Sequence, residues 1–283
     1  MKYLRPLIFL LCVIPYMTQA QNIIYSKSDS VIYTNYITQF NNQKDNSVSE
    51  LIIKSAKFFL GRPYVASTLE VAGNETLTLN LRELDCTTFI ENCIVLSRVI
   101  KSGDHSFDNY CKTLQNMRYR NGVIDGYTSR LHYTSDWIYE NEKRNILQNI
   151  SLEIGGEIVS HPLNFMSGHP TSYKHLKDNP SNTNKMRDIE TAINKRDNYR
   201  IIPLASIQKN ERGIKDGDII AFATGLSGLD YSHVGIAYWQ NGQLHFIHAS
   251  SRAKEVVIEK KTLLDYSKDS KNCTGISVLR INN

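Results

Sequence analysis

Two kinds of hydrophobic spacing divide the chain. In "SELIIKSAKFFLGRPY" the apolar residues Leu51, Ile52, Ala56, Phe59 and Leu60 recur at helical intervals, and Gly61 and Pro63 supply the stop. "LDCTTFIENCIVLSRVIKSG" repeats this design. Asp85 is placed to cap a helix whose stripe is Phe89, Ile90, Cys93, Leu96 and Ile100, with Lys101 and Gly103 closing it. From about residue 215 the period changes. "DIIAFA", "HVGIAYW", "QLHFIHAS", "KEVVIEK" and "GISVLRI" are short, β-branched runs separated by turn signals such as Asp216-Gly217 and Asn241-Gly242. A helical half followed by successive strands predicts an α+β fold with an antiparallel sheet. Between the halves, residues 106–200 are polar and rich in Asn, Tyr and His, with weak periodicity. They read as loops and short elements covering one face, not as a second core.

Composition narrows the class. The chain has 283 residues, enough for one large domain. Residues 1–20, "MKYLRPLIFLLCVIPYMTQA", have the charged start, apolar run and small-residue end of a secretory signal, leaving 21–283 as a single exported domain. The apolar run is shorter than the ~20 residues a membrane span needs. Without Lys2 and Arg5 the net charge of +5 falls to about +3. No basic run is interleaved with aromatics, so no nucleic-acid partner is expected. Sixteen tyrosines suit a carbohydrate-facing surface and ordinary packing equally.

Export makes the cysteines informative. Cys86 and Cys93, seven residues apart on one helix, lie ~10 Å apart at ~1.5 Å rise per residue, too far for a disulfide. Cys111 and Cys273 remain a possible pair. Cys93 fits a buried small hydrophobe. Cys86 falls at the helix's first turn, where the macrodipole favours a thiolate. In the hairpin "HVGIAYWQNGQLHFIHAS", His233 begins one strand and His248 ends the next, so antiparallel pairing makes them neighbours. Strand alternation puts Leu244, Phe246 and His248 on one face, and His245 on the other. A cysteine, a histidine base and a second ring that orients the base form a thiol-hydrolase triad.

These residues resemble a known family. "GRPY", "LDCTTF", "IKDGDIIAF" and "SHVGIAYWQNGQLHFIHAS" occur in the order found in the NlpC-type, papain-like cell-wall cysteine hydrolases, over residues 55–280. "RYRNG", "SRLHYTSDW" and "FMSGHPTSY" more closely resemble the muramoyl-L-alanine amidase-like branch, formerly a domain of unknown function. The resemblance implies a papain-like fold with residues 106–200 as a specificity insertion. It implies Cys86 as nucleophile, His233 as base, His248 as its orienting partner, and Tyr64 near the scissile bond. The substrate implied is a peptidoglycan fragment, cut between N-acetylmuramic or anhydro-muramic acid and the L-Ala of its stem peptide, in a periplasm or outside the cell. No cofactor and no metal are implied.

The sequence departs from the usual family pattern at Thr87-Thr88, where a smaller pair is the rule. In endopeptidase members the Asp before the cysteine helps hold a free amine. The muramoyl amide offers none, which leaves Asp85 as either a substrate ligand or only a helix cap. In the covering region Arg130, His132, Tyr133, Asp136, Trp137, Tyr173 and Lys174 are candidate substrate contacts. Arg130 suits bidentate carboxylate binding and Trp137 suits sugar stacking. The nearest rival is a γ-D-glutamyl-diamino acid endopeptidase of the same fold. A zinc amidase lacks recognisable ligand spacing here, and a non-catalytic wall-binding module gives no reason to keep the three residues together. Oligomeric state is not legible.

Overall fold

The computed structural model describes residues 23–196 and 199–283. The leader expected at residues 1–20 lies outside them. Among the described residues, no helix is long and apolar enough to cross a membrane.

The described residues open with a two-residue strand β1 (Ile23–Ile24), then α1 (Lys27–Phe40) and α2 (Val48–Phe58). Ser26 and Ser47 each cap their helix reciprocally with the residue three positions on. The short β2 (Leu77–Thr78) pairs in parallel with β1. Next comes α3 (Cys86–Ser102), capped by Asp85 and ended by Gly103 at φ 74°, as its pattern predicts. Twelve of its seventeen residues are buried, so it is the central helix of its layer.

Residues 106–200 depart from expectation. They contain the helices α4 (Phe107–Arg118) and α5 (Thr134–Lys143), the strands β3 (Leu147–Asn149) and β4 (Glu157–Ile158), the helices α6 (Phe165–Gly168) and α7 (Pro180–Asn194), and the strand β5 (Arg200–Pro203). Helices α4 and α5 and strand β3 join the main core, through Tyr110, Leu114, Met117, Trp137, Ile138 and Leu147. The stretch also builds a small core of its own from Tyr127, Tyr133, Leu163, Met166, Leu176, Met186 and Ile193. The periodicity was faint because Tyr and Met do the packing and because charges are buried in pairs. Asp136, for example, is held by Arg120 at 2.5 Å and Arg196 at 2.7 Å.

The strand-rich half matches its pattern: α8 (Ile207–Asn210), β6 (Ile219–Thr224), β7 (Tyr231–Gln240), β8 (Gln243–Ser250), β9 (Glu255–Ile258), α9 (Leu263–Asp269) and β10 (Cys273–Ile281). The antiparallel sheet runs β4-β5-β10-β6-β7-β8-β9, with β3 also on β10. Register places Leu279, Ile219, Ile236, Ile247 and Ile258 in one row across five strands. That row faces α2 and α3. The opposite parity, including Ile220, Phe222, Ala237, Leu244 and Phe246, forms a second apolar layer against α9. All four described cysteines are free, so the possible Cys111–Cys273 pair is not a disulfide. Cys111 is packed in the main core, and Cys273 Sγ donates to the Gly275 carbonyl at 3.4 Å.

Candidate active site

Cys86 is the first residue of α3, and its setting is built by backbone pairing. Gly61 N–H donates to Val256 O at 2.9 Å and Tyr64 N–H to Lys254 O at 2.8 Å, which lays the Gly61–Tyr64 segment along β9. The same segment bridges Leu84, just before the cap. Tyr64 is thereby fixed beside Asp85 and Cys86, and burial, then the Cys86 and Asp85 charges, raise its phenol. Asp85 Oδ1 accepts from Thr88 N–H and Thr88 Oγ1, each at 2.8 Å, while Asp85 N–H donates to Thr88 Oγ1 at 2.9 Å. Thr88, the unusual residue of the motif, therefore closes a reciprocal cap with Asp85.

The histidines come from the hairpin. His233 Nε2 and His248 Nδ1 are 2.6 Å apart, and His248 is buried while His233 is half-buried. Two features permit this approach. The register shifts between Phe222 and Ala223, opposite the start of β7, giving a bulge that re-aims the residues beside it. Gly235 lies across from His248, and a Cβ there would stand 2.7 Å from the Phe246 ring and 3.3 Å from His248 Cβ. Phe222, Phe246 and Tyr266 surround the two imidazoles, with ring centroids 4.6–6.5 Å away. Val234, the residue after His233, turns its backbone N–H to the Cys86 sulfur. The thiol thus sits at the helix–sheet seam, against the strand that carries His233, and is half-buried.

Burial works against one expectation. Burial, then the Asp85 carboxylate, push the Cys86 thiol up to about 12, against the pull of the Val234 N–H and of Thr87. Burial takes His233 down to about 3, helped by His248 and opposed by Glu259. Burial alone takes His248 down to about 4. Burial thus opposes both the thiolate that the helix N-terminus favours and the charging of either imidazole.

Beside Asp85 opens a recess of about 300 Å³. Of the contacts expected from sequence, Asp85, Arg130, His132, Tyr133, Tyr173 and Lys174 line it. Their roles differ from expectation. Arg130 is buried and already paired with Glu70 at 2.7 Å and Glu75 at 3.0 Å. His132 Nε2 is bound to the Tyr127 carbonyl at 2.9 Å, and burial, then Arg130, hold its ring neutral. Tyr133 OH donates to Glu190 at 2.7 Å and accepts from Met166 N–H at 2.9 Å. These three form walls. Tyr173 and Lys174 form the rim, Lys174 reaching Glu70 O at 3.4 Å. Asp136 and Trp137 are not in the recess. Asp136 is held by its two arginines, and Trp137, 2% exposed in the main core, offers no face to a sugar.

Sequence reasoning passed over Glu70, Tyr127, Glu259 and Tyr266. Glu259 follows β9, and its carboxylate stands 3.5 Å from His248 Nε2. Strand alternation from Val257, the partner of His248, was the one available signal for it. Among the described residues, no three His, Cys, Asp or Glu side chains converge to hold a metal.

Sheet, seam and recess make an α+β fold with a free cysteine at the seam, and comparison with known proteins gives its kind. Residues 54–276 match the AmiA-like family, described as N-acetylmuramoyl-L-alanine amidase-like, and the chain belongs to that family. It is similar to a crystal structure of an N-acetylmuramoyl-L-alanine amidase from Bacteroides uniformis ATCC 8492, with 37% identity and TM-score 0.78 over 84% of this chain and 100% of that one. A Bacteroides fragilis protein, described provisionally as a xylanase, is 40% identical with TM-score 0.75, over 81% of this chain and all of that one. A Legionella pneumophila protein at 22% identity shares the fold, with TM-score 0.67 over 90% of this chain and 95% of that one. No curated protein matches.

Proposed function

We propose that this chain is a cysteine-dependent N-acetylmuramoyl-L-alanine amidase with a papain-like, NlpC-type active site, exported to act on soluble muropeptides. The observation that carries this reading is the Cys86 thiol at the start of α3, met by the backbone N–H of Val234, the residue after a histidine that is hydrogen-bonded to a second histidine. His233 Nε2 is taken by His248, which leaves Nδ1 for the thiol. The Cys86 S–H proton passes to His233 Nδ1 as sulfur attacks the lactyl carbonyl, so charge separates only during reaction. The Cys86 backbone N–H, unpaired at the helix N-terminus, donates to the oxyanion. His233 returns its proton to the L-Ala nitrogen as the C–N bond breaks, giving a thioester and a free amine. Water then attacks the thioester, His233 takes the water proton, and the muramic carboxylate leaves as the thiol is restored.

The amidase reading is favoured over the γ-D-glutamyl endopeptidase by the amidase-like family match over residues 54–276 and by the amidase-named relative. Asp85 Oδ1 is committed to Thr88 as a helix cap, a role that needs no substrate ammonium. Sugar hydrolysis would need a pair of carboxylates flanking the bond. Here Asp85 caps a helix and Glu70 is held by Arg130. The recess, about 300 Å³ and rimmed by Tyr173 and Lys174, fits one sugar–peptide unit better than an intact glycan strand.

The test is mass spectrometry of the products from a disaccharide anhydro-muramoyl tetrapeptide. Wild type is expected to release intact tetrapeptide and free disaccharide. Cys86→Ala and His233→Ala are each expected to lose about 10³-fold or more in kcat. Release of a diamino acid–D-Ala dipeptide would make the chain an endopeptidase. Activity retained by Cys86→Ala would end the cysteine reading.

A further inference from the structure

We propose that Glu259 is a positioning residue that sets the proton pattern of the histidine pair, acting through His248. This rests on the reading of His233 as the base. The His248 ring is 1% exposed, and its Nε2 has no hydrogen-bond partner in the described structure. The Glu259 carboxylate, 19% exposed, stands 3.5 Å from that nitrogen. Its other oxygen is held by the Lys261 N–H at 3.0 Å, which fixes the side chain. A buried ring N–H without an acceptor is costly, so the position of the His248 proton depends on whether an acceptor faces Nε2.

The consequence runs along the pair. With Glu259 present, His248 carries its proton on Nε2 and presents the Nδ1 lone pair. His233 must then donate its own Nε2–H across the 2.6 Å contact, leaving Nδ1 bare to take the Cys86 proton. Without Glu259 the favoured arrangement is the reverse. His248 donates from Nδ1, His233 accepts at Nε2, and the His233 proton sits on Nδ1, where the ring cannot take the Cys86 proton. A buried carboxylate orients a catalytic imidazole in the same way in serine hydrolases. Tyr266 packs beside both rings without a hydrogen bond to either, so it does not replace the acceptor.

Two readouts decide this on the full-length mature enzyme. In Glu259→Ala, kcat on the muramoyl tetrapeptide is expected to fall about ten- to a hundredfold, with KM changed less than about twofold. Nitrogen-15 NMR of the imidazole rings in substrate-free protein is expected to show both protons on Nε2 in wild type and on Nδ1 in Glu259→Ala. If Glu259→Ala does not fold by circular dichroism, the near-isosteric Glu259→Gln is measured in its place. Its amide NH₂ can donate to His248 Nε2, so the shift toward Nδ1 is expected there as well. Unchanged kcat with unchanged tautomers overturns the proposal, as does a rise in KM alone. Cys86→Ala, run alongside, separates the readings: activity there would end the cysteine mechanism, while the NMR readout would still decide the role of Glu259.

Discussion

At the residue scale, burial determines what each side chain can do. A cysteine at a helix N-terminus reads as an activated thiolate, yet surrounding atoms and Asp85 push Cys86 up to about 12. The sign of the consequence is clear. Cysteine reacts with alkylating agents as thiolate, and below the thiol pKa the thiolate fraction rises tenfold per pH unit. The rate at which iodoacetamide inactivates the resting enzyme is therefore expected to climb steadily from about pH 6 to about pH 9. A plateau across that range would reveal a preformed thiolate–imidazolium pair. The same principle explains the substrate contacts that the sequence suggested and the fold reassigned. Arg130 and Trp137 have the right chemistry for a carboxylate and a sugar, but one is neutralised by Glu70 and Glu75 and the other is sealed into the core. Nothing in a linear pattern distinguishes a buried arginine from a free one.

At the scale of elements, much of the site was legible. Asp85 as cap, Gly103 as stop and the His233–His248 hairpin follow from local rules, because capping and two-residue turns are short-range interactions. The cap also tests the role of Asp85. Asp85→Asn keeps an acceptor for the Thr88 N–H, so melting temperature and KM are expected to stay close to wild type. Asp85→Ala is expected to cost ~1 kcal/mol of stability and to lower kcat by loosening the turn that carries Cys86. Thermal melts with steady-state kinetics measure both. A tenfold rise in KM for Asp85→Asn would instead mean that the carboxylate binds a substrate ammonium. Less legible was how α3 is anchored. Glu91 meets Arg118 of α4 at 2.7 Å in full burial, and Arg118 also donates to Thr78 O at 2.6 Å. A polar pair at that depth looks, in sequence, like two surface charges.

At the scale of the whole molecule, the cover over the recess has its own apolar cluster. Leu176, 1% exposed in that cluster, is expected to cost ~2–5 kcal/mol locally on replacement by alanine. The loss falls on the recess walls and not on the sheet. Leu176→Ala is therefore expected to raise KM several-fold with kcat within about twofold, and to speed proteolysis within residues 160–195. Kinetics and limited proteolysis check this, and an equal fall in kcat would mean that the cover helps build the catalytic pair. By itself the sequence determined the α+β class, the strands from β6 to β10, the cap at Asp85 and the meeting of His233 with His248. Each depends on periodicity or on neighbours a few residues apart. Tertiary structure alone decided that α4, α5 and β3 join the main core, that Cys86 meets Val234, that six of the suggested contacts share one recess, and that Glu259 faces His248. Those outcomes depend on which surfaces lose water together, and long-range packing sets that, not the local order of residues.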